Sequence, residues 1–208
     1  MKDIKISNLL DKLIESDKDQ YDFSDIVDLD NALNRQLHIG EIDALVGDSV
    51  DSYIRFFNRQ DDEDNIPIEE REPIKIFIDS PGGDLVATFT MINAIKLSKT
   101  PVYTINTGIV HKEAFYIFIS GHQRYAYPKS SFLYERDLKH LDENDKSLGN
   151  YIAFYERQLL EIKDIVLEKT KITENEYNKH LKGTWWMTSE DAQKLRICNE
   201  VLNAYKSI

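Results

Sequence analysis

The chain has 208 residues, of which 41% are hydrophobic and 30% are charged, and its formal net charge at neutral pH is −11. This length and composition are typical of one globular domain that buries a sizeable core. The negative charge argues against non-specific binding to nucleic acid or to an anionic membrane surface. A single cysteine, Cys198, excludes an internal disulfide, and no cysteine or histidine spacing indicates a metal site.

The first 34 residues are predicted to form an arm or extension. Apolar residues between positions 4 and 14 recur at helical spacing, whereas residues 18–31 are acidic and predicted to be loop. This start lacks the unbroken apolar core of a signal peptide. No stretch approaches the roughly 18 apolar residues that a membrane span requires. The sequence therefore predicts a cytoplasmic protein that does not bind membranes.

The next part of the chain alternates between strand and helix patterns. Residues 35–43 alternate as in a strand, and residues 44–60 repeat as in an amphipathic helix. Residues 61–73 carry two prolines and many charges, which predicts a surface loop. An apolar run at 74–79 predicts a strand. The pattern of residues 85–98 predicts a helix that buries Val86 among other apolar residues.

A second strand, turn and helix follow in the same order. After a strand at 101–107, the segment NTGIVHKEAFYIFISG is predicted to be a turn followed by an apolar helix. QRYAYP and SFLYE are predicted short strands, and a long helix is expected from about 145 to 170. Thr188 and Asp191 have the spacing of a capping box. The alternation of strands and helices predicts an α/β fold.

Two glycines follow the strand at 74–79, in the sequence DSPGGD. Gly82 and Gly83 permit backbone conformations that are closed to other residues. The N–H groups of such a turn suit an anion cradle at a helix start or an oxyanion hole, and a tight turn without either role is the remaining interpretation. The sequence has no GxxxxGK[ST] motif, which argues against a nucleotide P-loop.

Taken in order, these segments resemble the proteolytic subunit of the Clp protease, in the crotonase-like superfamily. The resemblance is carried by IFIDSPGGDLVATFTMINAIKLSKTPVYTINTG, YAYPKSSFLYE and WWMTSEDAQKLRICNEVL. It implies repeated β-β-α units with a long handle helix at about 145–170, in a ClpP-like domain that covers residues 35–208. It also implies a homo-oligomeric ring, single or stacked in pairs. An active Clp proteolytic subunit and a Clp-type ATPase are the candidate partners.

The same resemblance locates the positions of a Ser-His-Asp triad, and all three have changed. Lys112 occupies the place of the nucleophilic serine, Glu135 that of the histidine and Thr184 that of the aspartate. A serine triad needs a nucleophile, a base and a carboxylate that orients the base. No catalytic residue of the family's mechanism is therefore expected. Lys112 and Glu135 are instead expected to face each other as an ion pair that fills the site.

The glycine turn is the part of the catalytic machinery that the resemblance retains. Gly82, Gly83 and Glu113 are expected to form an oxyanion-type turn. Ser80 is expected to stabilise this turn rather than to act as a nucleophile. The side chain of His111 is expected to diverge from that of its neighbour Lys112, and His140 replaces the base only if the register shifts. His122, His38 and His180 are interpreted as surface or hydrogen-bonded residues. No cofactor, metal ion or nucleic-acid partner is expected.

Three functions remain open from the sequence. The first is a catalytically inactive ClpP-like subunit that acts through oligomeric assembly. The second is a peptidase or acyl hydrolase that combines the retained SPGG turn with non-standard catalytic residues. The third is a self-assembling structural scaffold. Because one fold hosts many activities, the fold alone does not decide among them.

Overall fold

The centre of the protein is one mainly parallel sheet. The computed structural model describes residues 23–135, 148–180 and 183–204. Within these ranges the strands are β1 (Gln36–Ile39), β2 (Ile74–Ser80), β3 (Val102–His111), β4 (Gln123–Ala126), β5 (Ser131–Glu135), β6 (Thr184–Thr188) and β7 (Glu200–Val201). The sheet has the order β1, β2, β3, β4, β7, with parallel pairing throughout. β5 branches from the end of β3, to which it is parallel, and pairs antiparallel with β6.

Helices connect these strands and cover the sheet. They are α1 (Phe23–Leu33), α2 (Ala44–Glu63), α3 (Leu85–Leu97), α4 (Glu113–Ser120), α5 (Leu148–Lys169), α6 (Glu174–Lys179) and α7 (Ser189–Lys194), with a short 3-10 turn at Ile68–Glu70. The predicted α/β fold is confirmed, because helices alternate with the strands of a mainly parallel sheet. No helix in the described ranges has the length and apolar character needed to cross a membrane.

β2 and α4 are the most deeply buried elements of the site region. Ile74, Ile76 and Ile78 of β2 are fully buried, as expected for a parallel strand covered by helices. α4 is buried from Ala114 to Ser120, so it packs as an internal helix rather than an amphipathic one. Its first residue, Glu113, is the exception, and it lies beside the glycine turn.

The end of β3 differs from the sequence prediction. The turn predicted to begin at residue 106 is strand as far as His111, so that only Lys112 separates β3 from α4. β3 continues because it changes partner, pairing with β4 up to Asn106 and with β5 from Ile109 onward. The Asn106 side chain bridges the change, because its amide group donates to the Ser131 carbonyl oxygen at 2.9 Å.

Two further predictions need correction. Part of the acidic segment predicted to be loop is helical, since α1 spans Phe23–Leu33, and α1 packs against β1. Val86 was predicted to be buried but is 58% exposed. The reason is that its neighbour Ala87 faces the helix interface, close to Gly47 of α2. The helix predicted at 4–14 lies outside the described residues.

The long helix and the capping box agree with prediction. α5 runs from Leu148 to Lys169, and its buried stripe includes Leu159, Ile162 and Val166. At the start of α7 the Thr188 hydroxyl accepts from the Asp191 N–H at 3.2 Å, and the Asp191 carboxylate accepts from Thr188 in return. This capping box fixes the end of β6, the strand that carries Thr184.

Candidate functional site

The glycine turn at the end of β2 is held rigidly by its neighbours. Gly82 and Gly83 have φ angles of 105° and 151°, in the region that favours glycine. The Ile42 N–H donates to the Gly82 carbonyl oxygen at 3.0 Å. A methyl group at Gly83 would collide with the backbone carbonyl of Ile42. The Ser80 hydroxyl accepts from the Gly82 N–H at 3.2 Å, in agreement with the stabilising role predicted for Ser80.

Lys112 sits on a sharp junction between β3 and α4. Its backbone has φ 52° and ψ −118°, an uncommon conformation for a residue with a side chain. Strained strand-to-helix junctions of this kind present the nucleophile in many hydrolases. The Lys112 N–H donates to the Leu133 carbonyl oxygen at 2.9 Å, which ties the junction to β5. The strained backbone junction that presents a nucleophile in such hydrolases is therefore present, but here it presents the ammonium group of Lys112.

The structure brings the three positions implied by the resemblance together. The Lys112 ammonium nitrogen lies 3.9 Å from a carboxylate oxygen of Glu135, at the outer limit of ion pairing. The side chains are 35% and 13% exposed, respectively. Thr184 on β6 lies directly opposite Glu135 in the antiparallel register, and it is solvent-exposed. Lys112 and Glu135 therefore face each other as the resemblance implied.

Sequence reasoning missed the side chain of Glu113. The sequence assigned Glu113 to the oxyanion-type turn without a role for its carboxylate. In the structure its carboxylate oxygen Oε2 accepts from the Gly83 N–H at 3.1 Å. The same oxygen would lie 2.5 Å from a methyl group placed on Gly82, so it fits closely against the turn. The signal in the sequence was an acidic residue directly after the nucleophile position.

His111 makes a contact that the sequence did not suggest. Its Nε2 atom lies 3.2 Å from the Ser131 hydroxyl, and its ring packs edge-on against Trp186. Burial lowers the pKa of His111; the nearby charge of Asp79 acts in the opposite direction, and that of Lys112 adds to the lowering. Within the described ranges no carboxylate is hydrogen-bonded to this imidazole, so the pair lacks the third element of a triad there.

His122, His38 and the cysteine have structural contacts. His122 accepts from the Val102 N–H at 3.0 Å, and His38 stacks on Phe77. Burial raises the pKa of the Cys198 thiol to about 11, so the thiol is protonated at neutral pH. His140 lies outside the described residues. Across the parts of the chain that the structure describes, no cluster of His, Cys, Asp and Glu could hold a metal ion.

The Lys112–Glu135 contact predicts a modest energetic coupling. Lys112→Ala and Glu135→Ala are each expected to lower the free energy of unfolding by about 1 kcal/mol. Their coupling is expected to be about 0.5–1 kcal/mol, because the pair is partly exposed and its atoms are almost 4 Å apart. Chemical denaturation of both single variants and the double variant measures it. A cycle pairing Lys112→Ala with Glu190→Ala, a glutamate of α7, is the control and should be additive. Additivity for Lys112 and Glu135 as well would contradict the pair.

Comparisons with known proteins show what the sequence of this chain is similar to. The family model described as Clp protease matches residues 66–205, about two thirds of the chain. Among curated proteins, the ATP-dependent Clp protease proteolytic subunit 2 of Treponema denticola is 27% identical over 139 residues, which cover 66% of this chain and 70% of that protein. The ATP-dependent Clp protease proteolytic subunit of Oenothera elata is 25% identical, and the match covers 95% of this chain and 78% of that protein.

The fold is also that of a solved structure. A mutant of ClpP1 from Listeria monocytogenes superimposes with a TM-score of 0.68, and the match covers 87% of this chain and 98% of that one. Its sequence identity is 19%, so this likeness concerns the fold alone. The glycine turn, the junction at Lys112 and the β5–β6 pair all lie within the region that the family model matches. Because the family model matches residues 66–205, about two thirds of the chain, the chain belongs to the Clp protease family.

Proposed function

We propose that this chain is a catalytically inactive subunit of the Clp protease family that acts through oligomeric assembly. The observation that carries the proposal is the Lys112–Glu135 pair at 3.9 Å, at the positions of the nucleophile and its base. A serine triad needs a hydroxyl and an imidazole that takes its proton, and this pair supplies neither. A salt bridge stands where the family's mechanism needs its nucleophile and its base.

The other requirements of hydrolysis are unmet as well. Thr184 carries no charge and is exposed, so it does not orient a base as a buried aspartate does. The N–H of Gly83 already binds the Glu113 carboxylate. An oxyanion hole stabilises negative charge that develops in the transition state, and a resident carboxylate opposes that charge. These features together favour a structural role for a fold that keeps the family's architecture.

Apolar side chains on the surface support a role in assembly. Leu45 and Phe56 of α2 and Val86 and Leu97 of α3 are exposed, and Leu97 is 83% exposed. α2 and α3 pack against each other, and a contiguous apolar surface across two such helices suits contact with another protein. We propose that residues 35–208 form the assembling domain and residues 1–34 an arm. The partners are other copies of this chain in a ring, with an active Clp proteolytic subunit or a Clp-type ATPase joining them.

Mass measurement in solution tests the assembly. We expect the protein at micromolar concentration to have several times the mass of its 24.3 kDa chain, as a ring or a stacked pair of rings. Leu97→Asp should shift the protein toward smaller species, because it places a charge on the proposed contact surface. Lys129 lies between β4 and β5 rather than on these helices. Lys129→Asp is therefore the control, and it should leave the mass of the assembly unchanged. Only monomers across the micromolar range would contradict assembly of the chain with itself.

One observation favours a second candidate, an acyl hydrolase with altered residues. The Ser131 hydroxyl and His111 are in contact, and Ser131 lines an open pocket of about 400 Å³ together with Trp186. A hydroxyl beside an imidazole is the core of a serine nucleophile. The absence of an orienting carboxylate on His111 in the described structure ranks this candidate second. Labelling of Ser131 by a fluorophosphonate would favour it over the inactive subunit.

A further inference from the structure

The Gly82–Gly83 turn already has an anionic ligand, supplied by the chain itself. The Gly83 N–H donates to Oε2 of Glu113 at 3.1 Å, while the Gly82 N–H donates to the Ser80 hydroxyl. We propose that this turn is a carboxylate-binding site that Glu113 occupies and closes from within. The inference deepens the proposed function and rests on it, because a turn engaged in catalysis would have to be open to the substrate.

The shape of the turn favours a carboxylate over a bulkier group. A methyl group on Gly82 would lie 2.5 Å from Oε2 of Glu113 and 3.0 Å from Cβ of Lys112. The carboxylate oxygen therefore lies where a Cβ at position 82 would crowd it, in a space that is open only because this residue is glycine. A flat, negatively charged oxygen pair fits that space, and it gains a charge-assisted hydrogen bond from Gly83.

The turn is rigid, whereas its ligand is a flexible side chain. Ile42 binds the turn on the opposite side, where its N–H donates to Gly82 and its carbonyl oxygen accepts from the Asp84 N–H at 2.7 Å. Asp84 in turn caps α3 by accepting from the Ala87 N–H at 2.7 Å. Displacing Glu113 therefore requires rotation about side-chain bonds only, and it leaves the shape of the site intact.

An internal ligand lowers the apparent affinity for any external one. Glu113 competes at the high effective concentration of a group in the same chain, and an external carboxylate binds only to the fraction of molecules in which the turn is vacant. The external ligand has the same chemistry as Glu113: a carboxylate. It is available from two sources, the C-terminus of a peptide and a small organic acid.

The test compares carboxylate binding by the unchanged protein and by variants at position 113. In Glu113→Ala the turn is vacant, and in Glu113→Gln it keeps a neutral occupant of nearly the same volume. Glu190→Ala removes a first-turn glutamate from α7 and is the matched control. The ligands are N-acetyl-Ala-Ala as the free acid, the same peptide as the C-terminal amide, and acetate. The chain has eight glycines, so selective 15N-glycine labelling allows the Gly83 amide signal to be followed during each titration.

We expect Glu113→Ala to bind the peptide acid at least tenfold more tightly than the unchanged protein, with a shift of the Gly83 signal. Glu113→Gln should lie between them, Glu190→Ala should match the unchanged protein, and the peptide amide should not bind. Equal binding of acetate and peptide acid would assign the site to carboxylates in general, which also supports the proposal. Unchanged affinity in both Glu113 variants, or equal binding of acid and amide, would overturn it. Peptide hydrolysis is measured separately, so this outcome leaves the inactivity of the subunit untouched.

Discussion

The Lys112→Ser variant is expected to be as inactive toward peptides as the unchanged chain. The substitution places a hydroxyl on the strained junction where the family holds its nucleophile. Glu135 and Thr184 still stand where the base and its orienting carboxylate are needed. Loss of single members of a serine triad costs roughly 10⁴-fold or more in turnover. We therefore expect hydrolysis by Lys112→Ser to stay at least roughly 10⁴-fold below that of an active family member.

A fluorogenic peptide assay measures this expectation, with an active Clp proteolytic subunit as the positive control. The Lys112→Ala variant removes the ammonium without adding a hydroxyl and is the matched negative control. Equal background signals from the serine and alanine variants would agree with the expected inactivity of Lys112→Ser. Turnover by Lys112→Ser well above Lys112→Ala would mean that Glu135 acts as the base, and that the site lacks only its nucleophile.

The largest expected effect on stability is at Asp61. This carboxylate is fully buried, and both of its oxygens accept from the Arg35 guanidinium, at 2.6 and 2.9 Å. The Thr100 hydroxyl donates to it at 2.6 Å. Asp61→Ala leaves the Arg35 charge nearly buried without its partner, which is expected to lower the free energy of unfolding by about 3–5 kcal/mol. Urea denaturation measures the change.

A surface ion pair in the same helix provides the control for Asp61. Asp51 and Arg55 of α2 are paired at 2.8 Å, but the arginine side chain is largely exposed. Asp51→Ala is expected to lower the free energy of unfolding by only about 0.3–0.5 kcal/mol. A similar loss for both variants would contradict the strong contribution assigned to the buried pair.

The Asp61 contribution should also depend on pH. Burial acts to raise the pKa of Asp61, but the hydrogen bonds from Arg35 and Thr100 and the charges of Arg35 and Arg71 outweigh it, so the pKa is lowered. A carboxyl whose pKa is lower in the folded state stabilises the fold above its unfolded pKa, which is about 3.9. That stabilisation is lost as the pH falls through the folded pKa. The difference in stability between the unchanged protein and Asp61→Asn should therefore be constant near neutral pH and shrink below about pH 3.9.

The fold could be predicted from sequence because its signals are local. The apolar strands at Ile74–Ser80 and Val102–His111, the glycines between them and the capping box at Thr188 each depend on a few neighbouring residues. Together they have the order of the family's segments. Their exact lengths were harder to predict. β3 continues to His111 because β5, a strand further along the chain, pairs with its end.

The candidate site could be predicted in position but not in full. The resemblance placed Lys112 opposite Glu135, and the atoms lie 3.9 Å apart. It assigned Glu113 to the glycine turn but gave its carboxylate no role, because sequence spacing does not show which way a side chain turns. The carboxylate reaches Gly83 because Gly82 has no side chain to block it. Pairing of Asp61 with Arg35, which lies 26 residues earlier, likewise becomes visible only when α2 is packed onto the sheet.

Peptide hydrolysis by the unmodified, assembled protein distinguishes an inactive subunit from an enzyme. We expect no turnover of short fluorogenic peptides above buffer, because Lys112 and Glu135 form an ion pair and Glu113 occupies the glycine turn. The assay should be run on the species whose mass has been measured, with Lys112→Ala and Ser131→Ala beside it. Turnover that is robust in the unmodified protein and lost in Lys112→Ala would contradict the account. Turnover lost in Ser131→Ala would contradict it equally, and would assign the activity to the Ser131–His111 pair.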